Sequence, residues 1–209
     1  MTRRTLRRSS IIAVLVTVGV VAAYLAYDAR TWWKVNFREV TPGRVYRAGI
    51  YSKDSLRRIL KLQRIRTVLQ FSGDVSPRFQ EYDAIVAQQP GLRHIKMPRL
   101  ATTVPSYQDT MTVMAILNDS NNWPVLVHCE HGRDRTGYFI MLYRILHDGW
   151  TWEHALQEAA ADRMRTNGHP QIVLRQMPAL LAELRASNAF AQVQAPRTTT
   201  IAQQVPRSQ

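Results

Sequence analysis

The chain has 209 residues, 45% hydrophobic and 21% charged, a balance that fits a folded domain and excludes a wholly disordered or low-complexity polymer. A single cysteine excludes a disulfide framework, and histidines 94, 147, 154 and 169 have no paired spacing, so they read as surface or helix-end residues rather than metal ligands. Net charge is +13, with 24 arginines among the 28 basic residues. These are scattered and no nucleic-acid motif accompanies them, so no nucleic-acid partner is expected. An anionic bilayer surface suits them better, and arginine-rich codon usage explains part of the excess.

In chain order, residues 1–10 form a basic segment with Arg3, Arg4, Arg7 and Arg8, and residues 11–27 form an uncharged run followed by Trp32 and Trp33. At about 1.5 Å per residue, seventeen helical residues reach roughly 25 Å, the short end of a membrane span. A cleaved signal peptide competes, but its apolar core is usually shorter and its cleavage site closer to A-x-A than Ala22-Ala23. The segment therefore reads as a transmembrane helix. The four arginines before it outnumber the more spread Arg30, Lys34 and Arg38 after it, which places the N-terminus in the cytoplasm and the following domain in the periplasm or another extracytoplasmic space. An unpaired cysteine is compatible with that compartment.

Beyond the span, Val45–Ala48 reads as a strand, and Ser52 caps an amphipathic helix to about Gln63 with Leu56, Ile59, Leu60 and Leu62 on its apolar face. Strands are expected at Thr67–Phe71, Leu92–Met97 and Val125–His128. Helices are expected at Arg78–Gln89, at Ser106–Leu117 with Met111, Met114 and Leu117 buried, and at Thr136–His147. Thr151 caps another, and Pro170 opens a last helix to about Ala186. Strands alternating with helices predict an α/β fold with a mostly parallel central sheet covered on both faces. Residues 35–186 form that one domain, and residues 187–209, rich in Gln, Thr, Pro and Ala, read as a disordered tail.

The ten residues from His128 to Gly137 read HCEHGRDRTG. They place a thiol at the end of an apolar strand, five residues, then an arginine and a threonine at the start of a helix. Such a loop cradles a phosphate dianion: backbone N–H groups from Glu130, His131, Gly132, Arg133, Asp134 and Arg135 turn inward, and the helix N-terminus adds positive potential. The same surroundings favour the thiolate form of a cysteine. Arg135 offers two parallel N–H donors and a permanent charge. A lone cysteine is most often a small buried hydrophobe, but Gly132, Arg135, Thr136 and Gly137 at these offsets after a strand make that the weaker reading. His128 is either a structural histidine that holds the loop or an electrostatic partner of the thiolate.

This motif resembles the signature of the cysteine-dependent protein tyrosine and dual-specificity phosphatases, and Asn36–Gly49 (NFREVTPGRVYRAG) is similar to the opening segment of their bacterial dual-specificity-like branch. The resemblance spans about Val35 to Ala186. It implies that Cys129 forms a phosphocysteine, Arg135 binds the phosphoryl group, and the Thr136 hydroxyl assists departure of the thiolate, with no metal and no cofactor. Relatives also place an aspartic acid some thirty or forty residues before the cysteine to protonate the leaving oxygen. Here Gln88–Val104 contains no carboxylate. Asp134, within the cradle, is the favoured candidate acid and Asp109 the other, each with a helix-capping or surface carboxylate as the plain alternative.

The expected substrate is a phosphorylated protein, with tyrosine or dual specificity. Arg133, His131 and Arg99 add cationic side chains that suit a phosphoinositide or inositol polyphosphate, although exposed arginines are commonly just solvated. Two other classes stay open: a non-catalytic phospho-binding module, which the missing upstream acid favours, and a sulfur-transfer or arsenate-reducing domain, which the Arg-Thr-Gly ending disfavours.

Overall fold

A computed structural model describes residues 3–50, 52–73 and 77–187; the expected tail from residue 188 onward lies outside them. The first element, α1 (Arg3–Lys34), is longer than the expected 11–27 run and absorbs the basic segment as well. Within it, Ala13–Trp32 is long and apolar enough to span a membrane. Val14, Leu15, Val18 and Leu25 are each about 60% exposed. Among the described residues these positions have no protein core packed on them.

The end of α1 is joined to the domain by side chains. Trp32 lies against Phe37, with ring centroids 4.6 Å apart, and Phe37 stacks on Tyr46 at 5.8 Å. The Arg58 guanidinium sits over Trp32 and pairs with Asp28.

The domain is a five-stranded sheet in the order β1-β2-β5-β3-β4. Its elements are β1 (Arg38–Thr41), β2 (Val45–Gly49), α2 (Lys53–Leu62), β3 (Thr67–Gln70), α3 (Pro77–Ala87), β4 (Arg93–Lys96), α4 (Tyr107–Asn118), β5 (Val125–Cys129), α5 (Asp134–Leu146), α6 (Trp152–Ala161) and α7 (His169–Ala186). Among the described residues the β1–β2 pair is antiparallel, and β2–β5, β5–β3 and β3–β4 are parallel. The expected α/β architecture is what forms, with boundaries shifted by a residue or two. β1 is the strand that periodicity missed: four residues with one fully buried position on a sheet edge are too short for an alternating pattern.

Alternate residues of β5 feed two cores, as the period of two requires. Val125, Val127 and Cys129 join the cluster with α4, α5 and α7, whereas Leu126 joins the one with α2 and α3. α5 is buried nearly all round and stacks Phe139 on Phe71 at 4.3 Å. The α2 cap holds as expected, with Ser52 and Ser55 forming a reciprocal capping box. Leu62, expected on the buried face of α2, is 55% exposed instead; it is the last residue of the helix and is turned away from the stripe formed by Leu56, Ile59 and Leu60. On α4, Met114 and Leu117 are buried, while Met111 is only partly covered.

The strands β3 and β5 are neighbours, yet β3 leads into a helix on one face and β5 into α5 on the other. A crevice opens where such crossovers diverge, at the carboxyl ends of the strands. Cys129 ends β5 at that point. The end of β2 closes it from the other side so tightly that a Cβ on Gly49 would overlap the His131 backbone and one on Gly132 would overlap Ala48. Gly132 also has φ +64°, which a side chain would strain. We expect Gly49→Ala to destabilise the domain by about 1–3 kcal/mol through this overlap, read as a fall in the denaturation midpoint; an unchanged midpoint contradicts the close approach.

Candidate active site

Cys129 is 2% exposed and unpaired. The chain turns after it through Glu130, His131, Gly132 and Arg133, and α5 begins at Asp134, with Arg133 at the cap position but its side chain not capping the helix. The first N–H groups of an α-helix have no intrahelical partner and can bind an anion. Ile50 donates its backbone N–H to the Glu130 carbonyl at 3.1 Å, stitching the loop to the residue after β2.

Arg135 is held at its tip. Its Nη1 donates to the carbonyls of Phe71 at 3.4 Å and Arg99 at 3.5 Å, and its Nη2 lies 3.8 Å from Glu130 Oε2. These contacts bring together the end of β3, the segment after β4 and the cradle. Tyr138 of α5 fixes that segment further, donating its hydroxyl to Ala101 O at 3.0 Å. Burial raises the Tyr138 pKa, with the Asp134 charge adding to it, so the phenol stays a donor. Thr136 Oγ1 is buried with no hydrogen-bond partner among the described residues. An orphan hydroxyl within a phosphate loop is costly unless a ligand or reaction intermediate uses it.

His128 is 1% exposed, and burial lowers its pKa to about 3, with the charges of His94 and Arg135 acting in the same direction. Its Nδ1 lies 3.4 Å from Cys129 O. A neutral, enclosed imidazole braces the strand end and brings no cation to the sulfur.

The two candidate acids are both engaged by arginines. Asp134 accepts from the Arg165 backbone N–H at 3.0 Å through Oδ1, and from the Arg165 Nε at 2.9 Å and Nη2 at 2.5 Å through Oδ2. Two guanidinium donors on one carboxylate oxygen and a backbone N–H on the other tie the start of α5 to the segment between α6 and α7. Asp109 caps α4 reciprocally with Ser106 and pairs with Arg99, so the helix-cap alternative describes its geometry. Arg99 therefore gives its carbonyl to Arg135 and its side chain to Asp109. His131 is exposed and Arg133 half-buried at the cradle rim. Among the described residues no group of three or more His, Cys, Asp or Glu side chains is arranged to hold a metal.

Three residues behind the cradle escaped sequence reasoning. Asn36 and Arg47 both donate to the Gly132 carbonyl, and Asp162 accepts from Arg47. Burial lowers the Arg47 pKa, opposed first by the Asp162 charge and then by that of Cys129. The available signal was an arginine in the middle of a strand whose five residues are all buried, since an interior charge implies a dedicated partner.

A parallel α/β sheet with a cysteine loop running into a helix that starts next to an arginine defines the class of cysteine-dependent phosphatase folds. A sequence model of the tyrosine phosphatase family matches residues 33–161, and the chain belongs to that family. It is 30% identical over 124 residues to the dual specificity protein phosphatase TpbA of Pseudomonas aeruginosa, covering 59% of this chain and 53% of that one. It is 31% identical over 116 residues to the inositol diphosphatase DSP2 of Oryza sativa, covering 54% of each. The chain thus spans about half the length of these curated relatives. The crystal structure of P. aeruginosa TpbA superposes with a TM-score of 0.55 at 28% identity, over 71% of this chain and 90% of that one. The catalytic domain of the S. cerevisiae PP-IP phosphatase SIW14, in complex with citrate, shares the fold at 18% identity, with a TM-score of 0.56 over 70% and 93%.

The buried His128 sets a pH dependence. Its folded pKa, about 3, lies below the unfolded value of about 6.5, so the unfolded chain binds the proton first and stability drops as pH falls from about 6.5 toward 3. We expect His128→Asn to flatten that part of a stability profile measured by denaturant unfolding; an equal slope in both chains contradicts the assignment.

Proposed function

We propose that this chain is a membrane-anchored, metal-independent phosphomonoesterase that works through a phosphocysteine on Cys129. The observation that carries the reading is the arrangement at the end of β5: a buried cysteine, a loop running directly into α5, and an Arg135 guanidinium held against two carbonyls on the far wall. The relatives named as phosphatases support it.

In this reading the Cys129 thiolate attacks phosphorus in line, the S–P bond forming as the bond to the leaving oxygen breaks. Loop N–H groups and Arg135 take up the charge on the equatorial oxygens. Water then hydrolyses the phosphocysteine, and the Thr136 hydroxyl, unpartnered among the described residues, donates to the departing sulfur. His128 holds the strand end. Glu130, His131, Gly132 and Arg133 contribute the loop backbone, and the Arg133 and His131 side chains stand at the rim.

We infer that Asp134 serves as the tie to Arg165 and Asp109 as the cap of α4, neither acting as the proton donor. A reaction without a dedicated acid favours leaving groups that depart with little protonation. Phosphotyrosine fits this, since a phenoxide is a far better leaving group than a serine alkoxide. An inositol diphosphate is the second reading, favoured by the same tied aspartates together with the carboxylate-free stretch 88–104, because its leaving group is a phosphate. The rice relative named as an inositol diphosphatase adds support.

The N-terminal helix is read as a single span with the arginines of residues 3–8 in the cytoplasm and the catalytic domain outside it. Reporter fusions at either end of the full chain check this, and a catalytic domain found on the cytoplasmic side reverses it.

The deciding experiment is hydrolysis by the purified full chain of an aryl phosphate, phosphotyrosine and phosphoserine peptides, a phosphoinositide and an inositol diphosphate. Cys129→Ser should abolish turnover, Arg135→Lys should lower kcat/KM by at least about a hundredfold, and chelators should leave the rate unchanged. Asp134→Asn should retain most activity on phosphotyrosine peptide. Turnover surviving Cys129→Ser rejects the mechanism, and a phosphotyrosine rate lost in Asp134→Asn returns the acid role to that residue.

A further inference from the structure

Two buried side chains from outside the loop converge on one of its carbonyl oxygens. Asn36 Nδ2 and Arg47 Nη2 each donate to Gly132 O at 2.7 Å. Asn36 is 0% and Arg47 1% exposed, so neither is a surface residue that happens to lean inward. Both belong to a closed network. Arg47 Nη1 donates to Asp162 Oδ2 at 2.7 Å, and Arg38 Nε lies 3.2 Å from the other carboxylate oxygen. Asn36 Nδ2 also reaches Asp162 O at 2.7 Å, while its Oδ1 accepts from Arg163 Nε at 3.3 Å. The backbone of Asn36 is left-handed, φ +52°, a conformation that asparagine tolerates better than most residues.

A guanidinium inside a strand is an expensive filler. A valine would pack that position of β2 at lower cost, so the position needs what a guanidinium does. In a trans peptide the C=O and N–H point in opposite directions. Fixing Gly132 O outward, into the protein, therefore fixes the N–H of Arg133 inward, toward the hollow enclosed by residues 129–135. The two donors occupy both lone pairs of the oxygen, and one of them is charged, which polarises the peptide and strengthens the N–H on its other side. The positive φ of Gly132 lets the peptide take this orientation.

We propose that Asn36 and Arg47 are positioning residues of the phosphate cradle, holding the Gly132–Arg133 peptide with its carbonyl buried and its N–H turned toward the bound oxyanion. They touch neither substrate nor sulfur and act through that one peptide. The proposal rests on the phosphatase reading only for the statement that an oxyanion occupies the hollow.

The test uses the full chain in detergent, with tungstate as a non-reacting oxyanion measured by calorimetry, aryl phosphate kinetics and thermal unfolding. Asn36→Gly keeps the left-handed backbone and removes only the amide. Arg47→Lys keeps the charge beside Asp162 but cannot reach both acceptors with a planar fork. Leu126→Ala, in the core on β5, serves as a variant that lowers the unfolding midpoint without touching the loop. Each positioning variant should weaken tungstate binding roughly tenfold and raise KM in parallel, with a smaller change in kcat. Leu126→Ala should bind tungstate as the unaltered chain does. The proposal is overturned if Asn36→Gly binds tungstate normally, or if Leu126→Ala loses as much affinity as it does; Asn36→Gly alone decides if Arg47→Lys does not fold. An unaltered chain that binds tungstate but hydrolyses nothing rejects the phosphatase reading instead, and the comparison among variants still stands.

Discussion

A loop that turns its amides toward an anion must send its carbonyls outward, and here outward means into the packed interior of the domain. A buried carbonyl without a donor forfeits the hydrogen bonds it had in water. The segment between Cys129 and Arg135 meets this constraint by docking against other elements: Ile50 N–H supplies the Glu130 carbonyl, and Asn36 with Arg47 supplies that of Gly132. The shape of the hollow is thus set from behind, by β2 and the residues that follow α1. The close approach of Gly49 and Gly132 is what allows such short bonds across the gap.

The sheet order serves the same end. Inserting β5 between β2 and β3 places Cys129 at the middle of the sheet, with one neighbour available to brace the loop and the other to receive Arg135. α5 then has to leave from the loop straight into the larger core, where its nearly complete burial and the Phe71–Phe139 stack hold its N-terminus in place. A helix end that moves cannot preorganise donors, and preorganisation is where electrostatic stabilisation of a transition state comes from. Asp134 and Arg165 add a clasp from the α6–α7 segment.

The N-terminal helix belongs to this arrangement through its last turn. The Arg163 Nη2 donates to the Lys34 carbonyl, Gly49 N–H to that of Val35, and the next residue is Asn36. The end of α1 and the residues that brace the loop after β5 are therefore separated by only a few residues of backbone. Trp32, Arg58 and Asp28 hold the helix end against α2.

Much of this was legible in the chain itself. HCEHGRDRTG after an apolar strand located the loop between β5 and α5 because the pattern is local: a thiol at a strand end, a turn and a helix start are contiguous in the chain. Local patterning located ten of the helices and strands for the same reason, and Ser52 and Thr151 marked helix starts because capping bonds span only three residues. Tertiary structure alone decided what depended on distant partners. The hydrogen bonds of Asp134 to Arg165 appear only in the fold, Leu62 proved to be turned off the buried stripe of α2, and β1 became a strand only by pairing with β2. Asn36, Arg47 and Asp162 lie far apart in the chain and become one network only in the fold. A hydrogen bond between residues some ninety positions apart leaves no mark on the periodicity of either segment.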